Sequence, residues 1–122
     1  PLDTCGNILL RGENFLAVAQ STSPLAEAVI AIHHEWFEVA SKWPMLGDLL
    51  SAMDPGKQSS ILYDCVAVYL AFSRHGLQIE RLNIVVTEDG RTIIDDAGHP
   101  VDCATEWNDV DGFYRLLSAR LS

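Results

Sequence analysis

Hydrophobic and polar positions along the chain follow two different periods, which predict a mixed α+β fold built as one domain over residues 1–122. Two segments combine short apolar runs with turn residues, as β-hairpins do: residues 6–19, turning at 11–14, and residues 82–95, turning at 88–90. Helical periodicity fills most of the remaining sequence. Because strands and helices are grouped, we expect an α+β layer fold and not an alternating βαβ sheet.

The first of three main helices is predicted to begin at Ser23, which can cap free N–H groups, and Pro24, which suits the first helical position. Pro44 should end it, because the residue before a proline is pushed out of helical geometry. Apolar residues spaced three and four apart form its predicted core stripe: Leu25, Val29, Ile32, Trp36, Val39 or Ala40, and Trp43. Phe37 would then be partly exposed. If this apolar face is wider than the core can cover, it becomes an interface, and a homodimer is left open.

A second helix is predicted over about residues 55–74, as the central buried helix of the domain. Its apolar residues cover nearly the whole circumference, and a helix that is apolar all round is buried. Gly76 supplies a left-handed stop after it. The polar stretch 96–107 is interpreted as a loop, and the third main helix should begin near Asn108 or Asp109.

The chain is acidic, with a net charge of −9 and only two lysines, Lys42 and Lys57. Neutralising a phosphate backbone takes clustered Lys and Arg, so we expect no nucleic-acid binding. The same acidity suits a protein partner with a basic surface. No apolar run approaches the ~20 residues that span a bilayer, so no membrane insertion is expected. Three widely spaced cysteines without a CxxC pair indicate a reducing, cytoplasmic setting.

Side chains that could carry chemistry are densest after the second hairpin: Asp95, Asp96, His99, Asp102, Cys103 and Glu106. Carboxylates near a histidine can bind a divalent metal, and a metal-dependent enzyme using Asp95, Asp102 and His99 is one hypothesis. The alternative interpretation is that these residues form a turn, where Asp and Gly are common.

Residues 83–98 also resemble the magnesium-binding segment of protein-kinase-like folds. In that family a catalytic-loop Asn starts a strand, and after a hairpin the return strand delivers the Asp of an Asp-x-Gly motif. Asn83 and Asp96 have this spacing, and Asp96-Ala97-Gly98 stands at the position of the motif. The resemblance implies that Asn83 and Asp96 share one Mg²⁺ between the phosphates of ATP.

The chain departs from the kinase pattern at the catalytic base. In that family the base is an Asp five residues before the Asn, and here the position is Gln78. The sequence has no Gly-rich phosphate loop, and neither lysine has the strand context of the ATP-pairing lysine. The resemblance therefore implies a pseudokinase-like module that binds Mg²⁺ and a nucleotide, without phosphoryl transfer.

The leading hypothesis is a non-catalytic regulatory or protein-interaction domain, comparable to an inhibitor or immunity-type protein. Its acidic surface would bind a protein partner with a basic patch, and it would need no cofactor. Two alternatives remain: the pseudokinase-like module, with Mg²⁺ and ATP held by Asn83 and Asp96, and a metal-dependent enzyme. The candidate metal ligands are Asn83, Asp95, Asp96 and His99.

Overall fold

A computed structural model describes the backbone of residues 2–122 and the side chains from Thr4 onward. The elements follow in the order α1 Leu2–Cys5, α2 Gly12–Ala19, α3 Pro24–Ala40, α4 Gly47–Ser51, α5 Tyr63–Leu70, β1 Leu77–Val86, β2 Thr92–Ile94, β3 His99–Trp107 and α6 Val110–Leu121. Helices and an antiparallel sheet are segregated along the chain, which confirms the predicted α+β class.

The sheet has the strand order β2-β1-β3, and both outer strands run antiparallel to β1. β1 turns into β2 in the segment predicted as the second hairpin, and Gly90 in that turn has a φ of +82°. The first strand is longer than predicted, because β1 already begins at Leu77. Leu77 belongs to the hydrophobic core whereas β2 is exposed throughout, so the sheet is buried at its base and solvated at its tip.

The prediction of a loop over residues 96–107 is wrong, because most of this stretch is β3, which pairs with β1 over its whole length. A β-bulge between Gln78 and Ile79 shifts the register by one residue. Beyond the bulge the two strands remain paired as far as Leu77 and Trp107. Pro100 made the segment look like a loop. A proline is nevertheless tolerated on an edge strand, which is where β3 lies.

The prediction of a hairpin over residues 6–19 is also wrong, because most of this segment is the helix α2. Residues 8–10 pair with residues 59–62 through backbone N–H to carbonyl hydrogen bonds of 2.7 and 2.9 Å, and Arg11, whose backbone is extended, forms an isolated antiparallel bridge with Gln58. Phe15 and Val18 lie three residues apart and are both buried, as one face of a helix requires.

The predicted central helix over residues 55–74 is wrong in its extent. Helix α5 is much shorter, because the residues before it form a turn and then the extended segment that pairs with residues 8–10. Val66 and Tyr69 are buried, but Val68 is exposed. Helix α5 therefore has one buried face and is not surrounded by core.

The starts of the other two main helices were predicted correctly. The Ser23 hydroxyl accepts a first-turn N–H of α3 at 3.1 Å, and Pro24 is the first residue of that helix. Helix α3 ends at Ala40, earlier than the predicted Pro44. Helix α6 begins as expected, with the Asp109 carboxylate accepting a first-turn N–H at 2.9 Å.

From Thr4 onward, the buried hydrophobic side chains form three clusters. The main cluster joins α5, α6 and the base of the sheet: Ile8, Val66, Tyr69, Leu77, Ala104 and Phe113. A second cluster joins α2 to α3: Leu10, Phe15, Val18 and Ala26. A third joins α3 to α4: Phe37, Ala40 and Leu50. Helix α3 therefore meets its neighbours through the two smaller clusters, and this position places it beside the cleft described below.

Within residues 2–122, no single helix has both the length and the apolar character needed to cross a membrane. Taken together, helices α2 and α3 are long and apolar enough by length and composition, but the two helices are bent by 112° at the break between them.

Candidate binding groove

The residues predicted to hold a metal lie where the three strands meet, near the turn into β3. The Asp95 N–H donates to the Asn83 carbonyl at 3.0 Å, so these two residues are opposite each other on β1 and the extension of β2. Residues directly opposite in paired strands share a face, which puts Asn83 and Asp95 together. His99 is opposite Ile84, the residue after Asn83, and therefore lies on the other face of the sheet.

Asp95 and Asp96 start the tight turn that joins β2 to β3. The Asp95 Oδ1 accepts the N–H of Ala97 at 2.8 Å, and the Asp95 carbonyl accepts the N–H of Gly98 at 2.8 Å. An added Cβ at Gly98 would lie 2.6 Å from a backbone carbonyl carbon of β1, so the turn requires glycine there. These contacts favour the turn interpretation for Asp95. Asp96 is exposed in the turn, one position beyond the residue opposite Asn83.

Asp102, the remaining ligand of the metal-enzyme hypothesis, is engaged by two arginines. Its carboxylate accepts from Arg74 at 3.2 Å and from Arg81 at 3.0 Å, and all three side chains are exposed. In the part of the chain that the structure describes, no group of three or more His, Cys, Asp and Glu side chains is placed to hold a metal ion. The ligands of that hypothesis are divided between the two faces of the sheet.

A large apolar cleft, named here the groove, lies between α3, α4, α6 and the segment that leads into α5. Its volume is about 610 Å³, within the range of roughly 300–1,000 Å³ found for small-molecule pockets. The lining residues are Leu10, Phe15, Val18, Val29, Ile30, Ile32, His33, Trp36, Leu46, Leu49, Leu50, Met53, Ser59, Ser60, Ile61, Leu62, Tyr63, Cys65, Leu117 and Leu121. No Asp, Glu, Lys or Arg from the described residues belongs to this lining.

Two adjacent stripes of α3 have the opposite roles to those predicted. The stripe predicted as core is largely exposed, although its Val29 is half-buried and Ala40, the alternative to Val39, is buried. We call its members within α3 that are 38 to 65% exposed the outer stripe: Leu25, Ile32, Trp36 and Val39. Phe37, predicted as partly exposed, is instead buried at 6% exposure. Ala26 and Ala40 on the same side as Phe37 are fully buried, and their small side chains let α2 and α4 approach α3 closely.

The groove opens directly onto exposed apolar surface. Ile32, Trp36, Leu49 and Tyr63 are exposed and also line the groove, and Trp43 extends the exposed apolar surface past the end of α3. The sequence contained a signal for this site in the width of the apolar face of α3. Of the two interpretations of that face, the structure favours a face wider than the core covers.

His33 is the basic side chain of the groove lining. Its Nε2 lies 3.0 Å from the Pro55 carbonyl oxygen, and its ring meets the rings of Phe15 and Phe37 edge-on, with centroids 5.9 and 4.8 Å away. Burial lowers the pKa of His33 below its ordinary value of 6.5; the Pro55 carbonyl opposes this shift, and charge on His34 reinforces it. His33 is therefore neutral near pH 7, and its contact ties α3 to the loop before residue 59.

The hydroxyl and thiol groups of the groove are not arranged as a nucleophile and its base. Burial, reinforced by the charge of Asp64, raises the pKa of the Cys65 thiol, which keeps it in the unreactive protonated form. The Ser59 hydroxyl donates to the next carbonyl along the chain at 2.7 Å and accepts the Leu10 N–H at 2.9 Å. The groove is thus suited to holding apolar side chains, and the Ser59 hydroxyl serves the fold.

Three carboxylates, named here the acidic rim, belong to the helices α3, α4 and α5 that contribute residues to the groove lining. Glu35 is three residues after Ile32 and four before Val39, so it borders the outer stripe on the surface of α3. Asp48 and Asp64 are next in sequence to groove-lining residues of α4 and α5. None of the three has an ion-pair partner among the described residues. A charged partner can therefore reach them without displacing a cation of the chain.

The segment from α3 to the start of α5, which supplies most of the groove lining, is acidic. Residues 24–65 contain six acidic and two basic side chains. Both basic ones are bound by carboxylates of their own segment, Lys42 by Glu38 at 3.4 Å and Lys57 by Asp54 at 2.9 Å. A partner that approaches over this segment therefore meets more negative than positive charge, whereas Arg11 and Arg120 adjoin lining residues of the other walls.

No family model, no curated protein and no solved structure matches this chain. The kinase-like resemblance of residues 83–98 therefore stays a prediction. What the chain does has to be inferred from its own residues and their geometry.

Proposed function

We propose that this chain is a non-catalytic regulatory or protein-interaction domain, which binds a protein partner with a basic surface through the groove and its acidic rim. The observation that carries the proposal is the outer stripe: four large apolar residues on one side of α3 are open to water beside an apolar cleft of about 610 Å³. Contiguous exposed apolar surface of this kind marks interaction sites. Small inhibitor and immunity-type proteins act by binding in this way.

The exposed apolar side chains supply a driving force for association. Complete burial of one large apolar side chain contributes about 1.5–3 kcal/mol. Covering the exposed parts of the outer stripe and of Leu49 therefore yields several kcal/mol, from which the entropic cost of association is subtracted. Trp36 and Trp43 add to this because tryptophan is enriched among the residues that dominate binding energy.

The acidic rim defines the preferred partner. Complementary charges around an apolar contact speed the encounter and reject partners of like charge. With a net charge of −9, the domain attracts a basic surface over a distance of about one Debye length, ~8 Å at physiological salt.

Affinity capture with three purified forms of the domain tests this function. Ile32→Asp places a charge in the groove, whereas Val86→Asp places one on the similarly exposed end of β1; the two side chains are 65 and 70% exposed. We expect a partner that is retained by the wild type and Val86→Asp, is lost with Ile32→Asp, and binds the purified wild type directly. A partner that Ile32→Asp retains as well as the wild type does, or catalytic turnover by the purified domain, would count against the proposal.

A second candidate is the pseudokinase-like module, because the hairpin brings Asn83 close to the turn that contains Asp96, although Asp95 is the residue directly opposite Asn83. The resemblance implies Asn83 and Asp96 as the Mg²⁺ ligands. At 100 times its dissociation constant, Mg²⁺·ATP should stabilise the fold by ~2.7 kcal/mol in a thermal-shift titration. We expect Asp96→Ala to abolish the shift, and the same shift in both proteins would remove this candidate.

A further inference from the structure

We propose that the occupant of the groove is a cationic amphipathic α-helix of the partner. Its apolar side would pack against the outer stripe, and its Lys or Arg side chains would meet the acidic rim. This inference rests on the proposed function and specifies the partner's binding element.

The shape of the exposed apolar surface points to a helix. From Leu25 to Val39 the outer stripe extends about 21 Å at a rise of 1.5 Å per residue. A molecule confined to the cleft would leave most of that length uncovered, whereas a helix of about four turns matches it. The groove walls formed by α3, α4 and α6 are helices, whose backbone groups are bonded internally and offer no free edge to an added strand. The non-helical wall, residues 59–62, already pairs with residues 8–10. Helices instead accept another helix by interdigitating side chains.

The charges around the groove point to a cationic helix. Glu35, Asp48 and Asp64 have no ion-pair partner among the described residues, and both lysines of the surrounding segment are already bound. The lining itself is uncharged, so the inserted side of the helix must be apolar. A helix with leucine-like residues on one side and Lys or Arg beside them satisfies both conditions.

The same charges disfavour a second copy of this chain as the occupant. The polar side of α3 itself carries Glu27, Glu35 and Glu38. Packing α3 against the groove of another copy would bring acidic residues to an acidic rim, between two molecules that each carry −9. A foreign basic helix meets no such repulsion.

Three labelled peptides of about 16 residues, or four turns, probe the occupant by fluorescence anisotropy. The first has leucines three and four apart and lysine elsewhere; the second has glutamate in place of lysine; the third is the first with its leucines scrambled around the helix. We expect the first to bind at least about tenfold more tightly than either of the others, as charge and face complementarity require.

Matched variants of the domain show whether the peptide binds in the groove or is attracted to the acidic protein in general. Ile32→Ser should weaken the first peptide about fivefold or more, while Val86→Ser leaves it unchanged. Replacing the acidic rim (Glu35→Gln, Asp48→Asn, Asp64→Asn) should reduce the preference for lysine over glutamate about fivefold or more. Removing the same charge elsewhere (Glu88→Gln, Asp96→Asn, Glu106→Gln) should change that preference less than about twofold. Circular dichroism checks that each variant is folded.

Several results would overturn the inference. Equal binding of the scrambled peptide, or binding unaffected by Ile32→Ser, would mean simple charge attraction. Equal binding of the glutamate peptide would mean an apolar groove without charge preference. A dimer in sedimentation that Ile32→Asp dissociates would identify a second copy as the occupant. If the first peptide does not bind but the wild type captures a partner that Ile32→Asp loses, the inference is wrong and the proposed function stands. If the peptide does not bind and no such partner is captured, the proposed function is wrong as well.

Discussion

Two substitutions on α3, Phe37→Ala and Ile32→Ala, test which side of this helix faces the core. Phe37 is 6% exposed and packs with Ala40 and Leu50, and its ring centroid lies 4.8 Å from that of His33. Truncating a buried Phe to Ala costs about 3–5 kcal/mol. At about 3–5 °C per kcal/mol for a domain of this size, the melting temperature should fall by roughly 10–20 °C.

Ile32→Ala should cost far less. The substitution removes three carbons from a side chain that is 65% exposed. At about 0.8 kcal/mol per fully buried methylene, the loss is below about 1 kcal/mol. Alanine's higher helix propensity returns a few tenths of a kcal/mol. The two substitutions therefore distinguish the structure, in which Phe37 is buried, from the sequence prediction, in which Ile32 is buried and Phe37 is partly exposed.

Urea unfolding followed by circular dichroism measures both free energies of unfolding, and an unchanged m-value shows that the unfolded state is comparable. The cost of Phe37→Ala should exceed that of Ile32→Ala by at least about 2 kcal/mol. Equal costs, or a larger cost for Ile32→Ala, would refute the placement of these two side chains.

Three further substitutions have defined outcomes in urea unfolding. Ser59→Ala leaves the buried Leu10 N–H without its acceptor and should cost about 1–3 kcal/mol, and no change would contradict that role. Asp109→Ala removes the side-chain cap of α6 and should cost about 1 kcal/mol, with an unshifted midpoint as the contrary result. Because burial lowers the pKa of folded His33, the unfolded chain is protonated there first, so stability falls as the pH drops through 6.5 toward the folded pKa. His33→Gln should flatten this dependence, and a slope unchanged by His33→Gln would contradict the prediction.

The parts of the fold that were predicted correctly depend on local chemistry. The α+β class follows from the two periods of the apolar pattern. Ser23 and Asp109 mark the starts of α3 and α6 because a capping side chain bonds the N–H groups of its own first turn. Such signals lie within a few residues of the structure that they specify.

The wrong predictions concern pairings between distant segments. Residues 8–10 have the apolar character of a hairpin strand, but their partner is residues 59–62, far along the chain. The same pairing shortens the predicted helix 55–74, because its first part is drawn into the extended segment. β3 gains its conformation from β1, and its own sequence, with Pro100, shows little strand character.

The groove could be predicted only in part. The excess width of the apolar face of α3 was visible in the sequence, but its period does not say which stripe faces inward. That choice depends on Ala26 and Ala40, whose small side chains admit α2 and α4, and it needs the tertiary contacts to be known. For the metal site, the spacing selected Asp96 as the partner of Asn83, whereas the hairpin places Asp95 opposite Asn83.

The tryptophan indole signals in a ¹H–¹⁵N spectrum test most directly whether the groove is the binding site. Trp36 lines the groove, whereas Trp107 packs against the main core and donates its Nε1–H to the Thr4 carbonyl at 2.7 Å. Adding the captured partner, or the leucine-lysine peptide, should shift the Trp36 signal, assigned with Trp36→Phe, and leave that of Trp107 in place. A bound partner that shifts Trp107 and leaves Trp36 unchanged would place the binding site elsewhere and contradict the proposed function.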